Sequence, residues 1–189
     1  MNLGHTFTID SLLEGCKRGD RSAQENLYKS MASKMMGVCM RYAKDREEAE
    51  DVLQLGFIKV FQKIKDFRSD GSFEGWIRRI MVNTAIETYR KNLRSMNLVS
   101  IDEVYDQAQT TFDMNGLETK DLLKMVQELA SGYRLIFNIY IIEGFSHKEI
   151  SQELGITEGA SKSQLSRARA ILKEKILKME GLNYATNVG

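Results

Sequence analysis

The chain has 189 residues, enough for one domain or two small ones. Lys and Arg total 27 against 26 Asp and Glu, so net charge argues neither for nor against a nucleic-acid partner, and the distribution of charge must decide. No apolar run is long enough to span a bilayer and no signal peptide opens the chain, so a cytoplasmic protein with no direct membrane insertion is expected.

Cys16 and Cys39 have no His near them in sequence and suggest no zinc site. Both fall on apolar helical positions, where a thiol is a small buried group. Proline is absent, which suits an all-α chain.

Asp10 to Lys17 reads as a short helix ending near Gly19. Asp20 or Ser22 caps a longer helix through about Ala43, with Ala23, Leu27, Met31, Met35, Val38 and Tyr42 as its inner stripe. The methionines are expected as core filler. Asp45 and Glu48 are spaced as a capping box for the next helix, and Glu47, Glu48 and Glu50 suit the positive end of its dipole. Ala49, Val52, Leu53, Phe57, Val60, Phe61 and Ile64 form one stripe at i, i+3, i+4 spacing, and that face builds a core. The opposite face carries Asp51, Leu55, Ile58 and Gln62. Two large aliphatics in a polar face point to a partner surface, the alternative being two isolated exposed side chains.

Lys65 to Ser72 is a loop by composition, and Ser72 caps a helix running to about Leu93. Its core stripe is Phe73, Trp76, Ile77, Ile80, Met81 and Thr84, so Trp76 is structural first. Arg79, Asn83, Arg90 and Arg94 share another face. Cations that track phosphates beside an Asn that reads base edges resemble a single-strand DNA platform; a plain solvated face is the alternative. From Ser95 to Asn115 helical periodicity is lost and Asp102, Glu103, Asp106 and Asp113 accumulate, as in an acidic linker.

Order returns over Leu117 to Leu129, with Leu122, Leu123, Val126 and Leu129 periodic. Tyr133 to Glu143 follows, nearly apolar all round and therefore central to a small bundle, and Gly144 ends it. Ser146 and Glu149 make a second capping box. Ile150 and Leu154 are the inner positions of this helix, Gly155 stops it in a left-handed conformation, and Thr157 caps the next. On that last helix Ser161, Leu165, Ala168, Leu172 and Ile176 gather on one side. Lys162, Ser163, Ser166, Arg167, Ala170 and Lys173 gather on the other. Small side chains flanked by cations suit a helix entering a DNA major groove. An ordinary helical hairpin with a basic face is the alternative.

No catalytic constellation can be assembled. Gly-rich phosphate loops and His pairs at metal spacing are missing, and neither His5 nor His147 has a catalytic context. The cluster Glu47, Glu48, Glu50 and Asp51 reads as dipole matching plus a charged face. The expectation is a protein without catalysis, cofactor or metal.

Three stretches, in order, resemble the extracytoplasmic function (ECF) sigma factors of the sigma-70 family. AEDVLQLGFIKVF (Ala49 to Phe61) resembles the helix that docks on core RNA polymerase. FRSDGSFEGWIRRIMVNTAIETYRK (Phe67 to Lys91) resembles the segment that melts and reads the minus-10 element. The C-terminal helix-turn-helix resembles the minus-35 reader, down to Ser163, Arg167, Ala168 and Arg169.

The resemblance implies two small helical domains, 1–94 and 117–189, joined by an irregular acidic linker over 95–116. It implies a polymerase interface at Asp51, Gln54, Leu55 and Ile58. Contacts to melted minus-10 DNA are implied for Phe67, Arg68, Ser69, Asp70, Gly71, Ser72, Arg79, Asn83 and Arg90. Contacts to minus-35 duplex are implied for Lys162, Ser163, Ser166, Arg167, Arg169 and Lys173. Core RNA polymerase, promoter DNA and an anti-sigma factor are the implied partners, and the linker would thread through polymerase toward the RNA exit path. Glu87 departs from the Asp or Lys that many members carry, Ser69 and Gly71 redistribute the small residues of the loop, and Ala160 replaces a larger aliphatic. The competing expectation is a conventional helix-turn-helix regulator with an N-terminal sensing or dimerisation domain.

Overall fold

The computed structural model describes residues 8–95 and 119–186, with side chains over 8–93 and 120–179. His5, Leu117 and the linker beyond Ser95 lie outside the described residues. Among the described residues every regular element is helical. The chain divides into two compact units, one of Met1–Cys39 and Arg46–Thr88, the other of Met40–Asp45 and Tyr89–Gly189.

In the first unit α1 (Ile9–Lys17) is capped by Thr8, whose hydroxyl accepts from the Ser11 amide. Gly19, at φ +81°, turns the chain. Asp20 then caps α2 (Arg21–Tyr42), its Oδ1 accepting from the Ser22 amide at 2.8 Å. Ala23, Leu27, Met31, Met35 and Val38 are buried along α2, the stripe that the sequence periodicity predicts. Both cysteines are buried; burial, with Asp20 nearby, pushes the Cys16 thiol above its ordinary range.

The third helix, α3 (Arg46–Lys63), buries Ala49, Val52, Leu53, Phe57 and Val60, and Tyr28 of α2 meets Phe57 edge-on at 4.7 Å. A 3₁₀ turn, Ile64–Asp66, leads through an irregular loop to α4 (Phe73–Ser95). Ser72 caps α4 by accepting from the Gly75 amide at 2.9 Å. Phe73, Ile77, Met81 and Thr84 are buried on α4, and the Thr84 hydroxyl donates to the Ile80 carbonyl.

Met81 of α4 packs its side chain against Gly56 of α3. A Cβ there would lie 2.2 Å from the Met81 sulfur, and Met81 is fully buried. Glycine here leaves room for the Met81 side chain, and no positive φ calls for it.

In the second unit α5 (Thr119–Gln127) is followed by α6 (Ser131–Phe137), which runs on as a π turn, Asn138–Ile142. Sequence periodicity predicts one apolar helix here; the structure buries two polar side chains in it. The Arg134 guanidinium donates to the Gln127 and Leu129 carbonyls at 2.6 and 3.2 Å, closing the C-terminal end of α5. Asn138 donates to the Arg134 carbonyl at 2.8 Å, within the stretch where the wider π turn begins.

Gly144 ends the segment at φ +75°. α7 (His147–Leu154) starts with the complete Ser146–Glu149 capping box and stops at Gly155, φ +68°. Thr157 accepts from the Ala160 amide at 3.0 Å and starts α8 (Glu158–Thr186). Met125 and Leu129 of α5 share a core with Ala168, Leu172 and Ile176 of α8. Lys175 of α8 pairs with Glu128 beyond α5, which holds that carboxyl below its usual range.

The α3–α4 crossing generates a paired prediction. Gly56→Ala adds a methyl against the Met81 sulfur, which must shift inside the core; overpacking costs about 1–3 kcal/mol and outweighs the roughly 1 kcal/mol gained in helix propensity. Gly37→Ala, at an exposed α2 position with nothing within 4 Å of the added carbon, takes the propensity gain alone. Thermal unfolding is expected to show a lower midpoint for the first variant and a higher one for the second.

Candidate nucleic-acid interface

Three surfaces carry the residues singled out by sequence. On α3 the outward face exposes Asp51 and Gln54, with Leu55 46% and Ile58 52% accessible. Two branched aliphatics a turn apart are thus half open to solvent, with polar groups around them.

The second surface is the loop before α4 with the exposed side of α4. Phe67 does not stand free. Its ring lies 5.0 Å from Phe73 and 5.5 Å from Trp76, and Phe73 stacks on Trp76 at 5.8 Å. These three rings anchor the root of the loop, while Arg68, Ser69, Asp70, Gly71 and Ser72 project as an exposed tip. Ser69 holds φ +60°, and Gly71 has no positive φ. The left-handed position is therefore taken by a serine, one of the residues the resemblance marks as redistributed. On α4 Arg79 and Asn83 are exposed and Arg90 is half-buried. The Arg94 side chain lies outside the described residues.

The third surface is α8 with the turn before it. Ser161, Leu165, Ala168, Leu172 and Ile176 are buried, as the sequence expectation has them. Lys162, Ala170 and Lys173 are exposed; Ser163, Ser166 and Arg167 are half-buried beside them. The cations and the small side chains thus share the outward side of one helix, whose other side is locked into a core.

The chain's residues 27–95 match the model of sigma-70 region 2, and residues 119–172 match the model of sigma-70 region 4. The chain belongs to the sigma-70 family, as an ECF sigma factor. It is similar to the RNA polymerase sigma-H factor of Pseudomonas aeruginosa, at 27% identity over 87% of this chain and 92% of that one. It is also similar to the ECF RNA polymerase sigma-E factor of Haemophilus influenzae, at 26% identity over 92% of this chain and 98% of that one. Among solved structures, the sigma factor RpoE in complex with the anti-sigma factor NepR from Bartonella quintana aligns over 79% of this chain and 94% of that chain. Its identity is 22% and its TM-score 0.46. The region 2 match ahead of region 4 disfavours the alternative of a conventional helix-turn-helix regulator.

In this ECF sigma factor the α3 and α4 surfaces fall within the region 2 match, and the start of α8 falls within the region 4 match. Two features escaped sequence reasoning. His147 stacks on Tyr140 at 4.5 Å, and its Nδ1 lies 2.9 Å from the hydroxyl oxygen of buried Ser161. The Arg169 guanidinium sits 5.8 Å from the centre of the same Tyr140 ring. A serine in an otherwise apolar stripe was the signal available, since a buried hydroxyl needs a partner. The second is an ion pair between Lys59 of α3 and Glu87 of α4, 2.5 Å from Nζ to Oε2. No periodicity announces a pair separated by this much chain.

Burial holds His147 below the ordinary histidine range. The Lys162 and Arg169 cations reinforce this, and Glu158 opposes it. With the folded value depressed, the unfolded chain takes up the proton first, so native stability is lost as pH falls below about 6.5 and toward the folded value. Denaturant titrations at several pH values are expected to show this acid loss in the native protein and a smaller one in His147→Gln. Ser146→Ala, which removes one half of the capping box, is expected to lower stability by about 1 kcal/mol.

Proposed function

We propose that this ECF sigma factor divides promoter recognition between two domains. Residues 1–94 bind core RNA polymerase and the strand-separated minus-10 element. Residues 117–189 bind minus-35 duplex, with 95–116 as the connecting segment. The observation that carries this reading is the exposed Leu55–Ile58 pair on α3, placed within the region 2 match and one helix away from the exposed Arg79–Asn83 face of α4.

Asp51, Gln54, Leu55 and Ile58 make the polymerase contact, the aliphatics supplying affinity and the polar rim its register. The loop from Phe67 to Ser72 receives a base flipped from the minus-10 strand, its exposed tip steadied by the Phe67–Phe73–Trp76 cluster. Arg79, Asn83 and Arg90 follow the strand along α4. Melting is driven by binding: capture of an unstacked base offsets an unpairing cost of a few kcal/mol. Lys162, Ser163, Ser166, Arg167, Arg169 and Lys173 meet the minus-35 duplex, the small residues permitting close approach and the cations holding phosphates and base edges.

The near-zero net charge supports weak DNA affinity for the free protein, with specificity arising when polymerase holds both domains at the promoter spacing. The protein acts in the cytoplasm without catalysis of its own, and an anti-sigma factor is its expected inhibitory partner. No helix among the described residues is long and apolar enough to cross a membrane.

Purified core polymerase mixed with this protein at moderate salt is expected to give a complex that initiates from specific promoters; absence of any complex overturns the reading. Leu55→Asp is expected to weaken polymerase binding about tenfold or more while sparing minus-35 recognition. Arg167→Ala is expected to do the reverse, with about tenfold less discrimination at one minus-35 position. Equal loss of both activities in either variant would indicate misfolding instead.

A further inference from the structure

The exposed face of α4 contains a group that a phosphate-tracking surface would not tolerate. Glu87 is exposed one helical turn beyond exposed Asn83, so the two side chains are neighbours along the proposed path of the minus-10 strand. A carboxylate accepts hydrogen bonds and donates none, and it repels phosphate. Glu87 does not stand there as a bare charge: half-buried Lys59 donates to its Oε2 at 2.5 Å from the neighbouring helix α3. The ammonium cancels the charge presented to a passing strand and restrains the carboxylate, which keeps a second oxygen able to accept.

We propose that Glu87, held by Lys59, is a specificity-determining residue that selects a minus-10 base bearing an exocyclic amine and disfavours thymine. This rests on the reading of α4 as the minus-10 platform. The chemistry follows from the Watson–Crick edges, which an unstacked single strand presents to protein. Adenine offers its N6 amine, cytosine its N4 amine, and guanine an N1–H beside an N2 amine. Each places a donor where a carboxylate oxygen can receive it. Thymine offers one N–H between two carbonyl oxygens, which face the carboxylate oxygens without a proton to share. Asn83 carries both a donor and an acceptor and makes no such distinction. Glu87 therefore adds a filter that the neighbouring amide cannot supply.

The test uses holoenzyme assembled from cognate core polymerase and the full chain, with a promoter library randomised across the minus-10 element and sequencing of the DNA retained in open complexes. The native protein is expected to deplete thymine at one position relative to the other three bases. Glu87→Gln, which adds a donor at nearly the same shape, is expected to relax that depletion about tenfold and leave the other positions unchanged. Lys59→Met is expected to lower retention of the whole library by exposing the unpaired carboxylate, and Lys59→Met combined with Glu87→Gln to restore it.

A Glu87→Gln profile identical to the native one, with Asn83→Ala shifting its own position, overturns the inference and leaves the platform standing. Profiles unchanged in both variants overturn the platform and the inference together. Glu87 is exposed, so equal thermal midpoints and equal core binding in the two proteins are expected and exclude misfolding as the cause of any shift.

Discussion

The packing of the Met81 side chain of α4 against Gly56 of α3 is the constraint on which the N-terminal unit depends. Each helix has one apolar stripe to bury, and both stripes enter one core, with Met81 filling the space a side chain at position 56 would need. The outward faces are fixed by the same geometry. α3 can turn Leu55 and Ile58 to solvent only because Val52, Leu53, Phe57 and Val60 are committed inward. α4 can turn Arg79, Asn83 and Glu87 outward because Ile77, Met81 and Thr84 are committed likewise. The proximity that brings Met81 against Gly56 also brings Lys59 within reach of Glu87.

The C-terminal unit depends on buried polar groups in addition to apolar packing. Ser161 has no exposed surface, and its hydroxyl meets His147 at the start of α7. This contact ties the start of the first helix of the helix-turn-helix to the first turn of the second. Arg134 does comparable work for α5, satisfying carbonyls that the end of a helix leaves without partners. A buried cation bonded to neutral carbonyls is costly to leave half-satisfied, so such a group favours one packing over its neighbours. Helix α8 therefore presents Lys162, Arg167 and Lys173 from a fixed base.

Much of this was legible in the chain. The buried stripes of α2, α3, α4 and α8 (with Phe61, Trp76 and Ile80 half-buried), the capping box at Ser146 and Glu149, and the left-handed stop at Gly155 follow from spacing alone, because helical period and cap chemistry act over a few residues. The three surfaces were legible for the same reason: a helix with its inner stripe assigned has its outer face assigned too. The π turn at Asn138–Ile142, the ring cluster at Phe67 and the left-handed Ser69 were not legible. Phe67 meets Phe73 and Trp76 across the boundary between a loop and a helix, where spacing along the chain announces no contact.

By itself the sequence determined the helical class, the order of a region 2 segment before a region 4 segment, and which face of each helix turns inward. Those properties depend on local periodicity, capping and residue type, all of which are written in consecutive positions. Only the tertiary structure decided that Glu87 pairs with Lys59, that His147 meets Ser161, and that Gly56 lies against a neighbour's sulfur. Each of these joins residues from separate helices, and the distance between such residues is set by how the cores close, not by their separation along the chain.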